Sequence, residues 1–161
     1  LPVGAGVLPR YSRYHIRMDK IPDNARLFGL AGLLPQFAAF MAVLKGGPDA
    51  WTGLALAYGY GALIFSFLGG TWWGIGLSSP HMPRWIFIAA VTPSLIALAL
   101  WFPWMVGWTW PGPELVALGL LIVASPLVDR AIGFCPAGWM RLRWQLSLGL
   151  GGLTVLIGLL G

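Results

Sequence analysis

Charge is what this 161-residue chain has least of: charged residues make up 9% of it, against about a quarter in an ordinary soluble domain. With 58% hydrophobic residues, that scarcity excludes a soluble globular domain and leaves an integral membrane protein. There is one cysteine, Cys135, which excludes an internal disulfide and a multi-cysteine metal site. The two histidines, His15 and His81, lie outside the apolar runs and have no His or Cys at ligand spacing, so neither points to a metal. The apolar runs hold no acid–histidine pair, no nucleotide-binding loop and no Ser–His–Asp set. The expectation is a protein that is not an enzyme and has no cofactor of its own, although a bound lipid, quinone or pigment fits the composition.

What is abundant is long apolar sequence. The run Trp51–Leu77 contains no charge and, at 1.5 Å per residue, crosses a hydrocarbon core of about 30 Å with some tilt. Four further runs are read as spans: about 27–44 with Pro35 as a kink, 84–102 with Pro93 at its middle, 114–133 passing Ser125-Pro126, and 139–160. The fold class is therefore all-α, a polytopic bundle of five transmembrane helices. Residues 1–24 form a basic arm and 25–161 the bundle. Met18 looks like an ordinary start, so residues 1–17 read as an upstream extension or a product of processing.

The net charge of +5 does not indicate nucleic acid, because the basic residues sit at the ends of apolar runs. With the N-terminus in the cytoplasm, Arg10, Arg13, Arg17, Lys20, Arg26, Arg84, Arg130, Arg141 and Arg143 fall inside and Lys45 outside, as the positive-inside rule expects. That distribution suits a bacterial inner membrane or an organelle descended from one.

The second span is expected to be the helix around which the others pack. Gly53, Ala57 and Gly61 recur every fourth position, and Gly59, Ala62, Ser66 and Gly70 lie on roughly the opposite side; Gly69 and Gly74 are counted with them as packing positions. In lipid, close backbone approach at small residues drives helix association. The ten tryptophans fall near span ends and read as an aromatic belt at the headgroups, or as a stacking platform for a flat ligand. Candidate ligand-binding residues are Tyr58, Tyr60, Trp72 and Trp73. Trp104, Trp108 and Trp110 crowd one loop beyond what a belt needs and, with Arg10, Tyr11, Arg13 and Tyr14 of the basic arm, are candidate partner contacts. Asp129, near a span end where a charge can snorkel, is expected to be structural, with Arg141 or Arg143 as partner.

Several of these residues also carry a resemblance. Tyr58-Gly59, then Ser66-Phe67-Leu68-Gly69-Gly70, then Trp73-Gly74, together with Asp129, Pro136, Trp139, Arg141, Leu142 and Arg143, resemble the signature of the transmembrane protein 69 family of bacteria and mitochondria. The resemblance covers about residues 25–160. It departs from the pattern at Trp72 and in the richness of the Trp loop, and it implies a fold without an activity. The functional expectation is an accessory subunit or assembly factor of a larger respiratory or photosynthetic membrane complex, with lipids as further partners. The alternative is a protein that binds or transports an apolar or ring-shaped molecule.

Overall fold

The computed structural model describes residues 21–78, 81–108, 111–133 and 137–161, and among these there are helices and no strands. The seven helices are α1 (Asp23–Ala31), α2 (Leu34–Lys45), α3 (Pro48–Ser78), α4 (Trp85–Met105), α5 (Gly112–Ala124), α6 (Pro126–Ile132) and α7 (Ala137–Leu160). They make five segments long and apolar enough to cross a membrane, because α1 with α2 and α5 with α6 are each one span in two pieces. Arg10, Tyr11, Arg13, Tyr14, Trp110, Cys135 and Pro136 lie outside the described residues.

Proline accompanies both breaks in the spans, although Pro93 and Pro103 lie inside a continuous α4. Pro35 and Pro126 sit in the first turns of α2 and α6, where a missing N–H costs nothing to the helix that follows but ends the one before. In the first span the interruption is a single turn at Gly32 and Leu33, which keep right-handed φ/ψ while Gly32 still donates to the Phe28 carbonyl at 3.0 Å. Tyr60 of α3 closes the gap by donating its hydroxyl to the Gly32 carbonyl at 2.5 Å. In the fourth span Pro126 cannot donate to the Ile122 carbonyl four residues back. The Ser125 hydroxyl takes that place at 2.6 Å.

α3 touches all four other spans, as expected of the helix around which they pack, with lighter contacts to α5 and α7. It packs along α2 and α4, while the most extensive contact in the molecule is between α5 and α7. The physical reason is a pair of glycine positions on each of those two helices. A Cβ at Gly119 would stand 2.7 Å from the Gly151 carbonyl oxygen, and one at Gly151 would stand 2.6 Å from that of Gly119; Gly112 and Gly158 oppose each other in the same way at 2.8 and 2.7 Å. The two backbones therefore touch, which only a residue without a side chain allows.

The small residues of α3 divide unevenly. Gly53, Ala57, Gly61 and Gly69 are buried. A Cβ at Gly53 would meet the Ala39 carbonyl oxygen of α2 at 2.8 Å, and one at Gly69 the Ala90 carbonyl oxygen of α4 at 2.1 Å. Ala62 and Ser66 are half-buried. Gly59, Gly70 and Gly74, in contrast, face open space, with no atom within 4 Å of where a Cβ would be. The second small-residue face is thus covered in part: Ala62 packs against the core, while Gly59, Gly70 and Gly74 have no neighbour opposite among the described residues.

Candidate functional site

α1 diverges from the bundle after the break at Gly32-Leu33, and none of its residues is buried. Its departure leaves a cavity of about 660 Å³ between α1, α3 and α7, within the roughly 300–1,000 Å³ typical of small-molecule sites. The α3 wall carries Tyr60, Ile64, Phe67 and Leu68; the α7 wall carries Trp139, Leu146 and Leu150; Phe28, Gly29 and Leu33 close the third side. These are helical stripes at three- and four-residue intervals, so each helix presents one face to the space.

The cavity has one polar region, at the end of the bundle to which Arg26, Arg84, Arg130 and Arg141 belong. Asp129 and Arg143 are 3% and 6% exposed and form an ion pair, Nε to Oδ2, of 2.8 Å. Trp72 Nε1 donates to Asp129 Oδ1 at 2.7 Å. The Arg143 fork donates from Nη1 to Ser147 Oγ at 2.5 Å and from Nη2 to Ser125 Oγ at 2.9 Å. Ser125 can accept because its own proton is given to Ile122. Asp129 Oδ2 is buried, with Arg143 Nε as the charged group against it. Two ionised groups this far from water persist only when paired and hydrogen-bonded, which the four partners supply.

Asp129 was expected near the surface, where a snorkelling side chain is cheap. It is instead buried, and α7 explains the choice of partner: Arg143 faces inward, while Arg141, two residues or about 200° away, is exposed. Trp72 departs from the aromatic-belt reading, being 2% exposed and committed to Asp129. The four candidate ligand residues do not share one pocket. Tyr58 donates to the Ala97 carbonyl of α4 at 2.5 Å, and Trp73 lies edge-on to Phe87 with ring centroids 5.3 Å apart. Of the four, Tyr60 alone lines the cavity. Tyr58 and Tyr60 point about 200° apart for the same geometric reason as the two arginines. Trp104 and Trp108 are exposed.

Residues 21–160 match the model of a protein family of unknown function designated DUF3429. The chain belongs to this family. Over 96 residues, which are 56% of this chain and 38% of the relative, it is 41% identical to transmembrane protein 69 of Xenopus tropicalis. The matched part is thus well under half of that relative's length. No solved structure matches the chain. Of the residues that carry the resemblance to the transmembrane protein 69 family, Phe67, Leu68, Asp129, Trp139 and Arg143 line the cavity, while Tyr58, Gly69, Gly70, Trp73 and Gly74 do not. From sequence, the small-residue half of that signature drew the attention. Asp129 and Arg143 were visible as charges in apolar surroundings, but the wall formed by Ile64, Leu146 and Leu150 carries no signal that separates it from lipid-facing residues.

Proposed function

We propose that this DUF3429 protein is a non-catalytic binding protein that takes an apolar, membrane-soluble molecule, a lipid or quinone in chemical class, into the space between α1, α3 and α7. The observation that carries this reading is the 660 Å³ cavity whose apolar walls end at a hydrogen-bonded ion pair. A packed bundle gains nothing from leaving such a space empty, since unfilled volume forfeits dispersion contacts. The test is native mass spectrometry after gentle solubilisation. The wild-type chain should carry a stoichiometric lipophilic adduct, and Ile64→Trp, which fills the middle of the space, should lose it; an adduct-free wild type refutes the reading.

A second reading is supported by the exposed Trp104, in the last turn of α4, and Trp108, just beyond it, 38% and 68% accessible. An aromatic patch of that kind suits attachment to a larger respiratory or photosynthetic membrane complex, as its accessory subunit or assembly factor. Replacement of Trp104, Trp108 and Trp110 by Ala should then release the protein from a large species on a non-denaturing gel without unfolding it. The charge distribution supports a bacterial inner membrane with the N-terminus inside. In that orientation an impermeant maleimide modifies Cys135 in inside-out vesicles and spares it in spheroplasts.

A further inference from the structure

Resting on that binding reading, we infer that the molecule held between α1, α3 and α7 is an amphiphile one leaflet long, with an uncharged, hydroxyl-bearing head seated at Asp129 and Arg143. Length comes first. From the head the cavity runs along α3 from Thr71, next to the Trp72 that holds Asp129, to Tyr60, about 16 Å at 1.5 Å per residue, which is about half of a 30 Å hydrocarbon core. On the first span it runs from Ile21 to Leu33 and stops at the break between α1 and α2. A chain lying there begins at one membrane surface and ends near the midplane.

The chemistry of the head follows from what the polar side chains have left to offer. Tyr60 and Thr71 line the cavity, but their hydroxyl protons are already given to the carbonyls of Gly32 and Leu68. Asp129, Arg143 and Ser147 are the remaining polar lining. Asp129 and Arg143 neutralise each other, so the site has no net charge with which to hold an ion. An anionic head would face the Asp129 carboxylate and a cationic head the Arg143 guanidinium, each bringing a third, uncompensated charge into a place of low dielectric. An alcohol avoids both penalties. Its proton can be taken by the Asp129 carboxylate, whose oxygens can each accept a further donor beside Trp72 and Arg143, and a hydrogen bond to a charged acceptor is among the stronger ones available.

A long-chain acyl-type alcohol and an isoprenoid alcohol share this chemistry, and the test separates them. The full chain in nanodiscs is titrated with hexadecanol, geranylgeraniol, hexadecanesulfonate or hexadecyltrimethylammonium, and apparent affinity is read from the rise in melting temperature. At least one alcohol should act at about one-tenth the concentration that either ionic probe needs, the scale of one charge-assisted hydrogen bond. The better alcohol names the source. Asp129→Asn leaves Arg143 unbalanced and should reverse the order in favour of the sulfonate. Should that variant fail to fold, the double replacement Asp129→Asn with Arg143→Gln removes both charges and should bring the alcohol and ionic probes to within about threefold of each other. A wild type that prefers an ionic probe, or a preference for alcohols that survives the double replacement, overturns the head assignment and leaves the cavity reading standing. If no probe stabilises the wild type beyond its effect on Ile64→Trp, the binding reading falls as well.

Discussion

α7 meets its neighbours in two opposite ways. Against α5 it presents Gly151 and Gly158, and the backbones come so close that a single methyl group has no room. Against α1 it presents the side chains of Leu146 and Leu150, which line the cavity. Both surfaces include glycines, yet on one side they bring helices together and on the other they do not: a Cβ at Gly29 of α1 would meet only the tip of Leu146, at 3.1 Å. What differs is the atom opposite, rigid backbone at the seam and a movable side-chain end at the cavity. A small residue in a membrane helix is therefore informative only together with what faces it.

The joint between the two surfaces is the Asp129–Arg143 cluster, and breaking it should have the largest effect. Arg143→Met leaves the Asp129 carboxylate buried without its counter-ion and should cost about 3–5 kcal/mol, seen as a collapse of thermal stability in detergent. Adding Asp129→Leu should restore most of that stability. It should not restore all, because Trp72 Nε1 then loses its acceptor.

The contrast between seam and cavity can be tested with one chemical change made twice. Gly119→Ala forces a methyl against the Gly151 carbonyl and should destabilise by about 1–3 kcal/mol. Gly29→Ala adds the same methyl where Leu146 can swing aside, and the helix propensity of Ala, better than Gly by about 1 kcal/mol, should leave it neutral or slightly more stable. Equal losses in the two variants would show that α1 is packed as tightly as α5. The smallest effect is expected at Gly70, where a Cβ meets no neighbour within 4 Å; Gly70→Leu should stay within about 0.5 kcal/mol of the parent.

The five spans were legible because the thickness of a membrane sets the length of an apolar run; Pro35 was legible as a kink, while the fourth span reads as running on past Pro126, where the structure divides it. The seam between α5 and α7 was also written in the sequence. Gly112 and Gly119 are seven residues apart, as are Gly151 and Gly158, but the denser small residues of the second span masked the signal. The partner of Asp129 could not be chosen, since Arg141 and Arg143 differ only in the face of α7 from which they project. The cavity was not legible at all. It depends on the direction α1 takes from the turn at Gly32, and hydropathy reports whether a segment enters the membrane but not how it leans.

That break at Gly32-Leu33 has a mechanical side. α1 is nine residues long, about 13 Å at 1.5 Å per residue, and no side chain of it is buried in the bundle. α2, beyond the break, is fixed to α3 at Gly53. A change in the thickness of the surrounding leaflet costs a fraction of a kcal/mol per Å of mismatch and is relieved by tilting whatever segment turns most easily. Here that segment is α1, with the Tyr60–Gly32 contact as its pivot. In thinner lipid α1 is expected to lean further while α2 to α7 stay in register, so the bilayer itself sets the width of the space that α1 encloses.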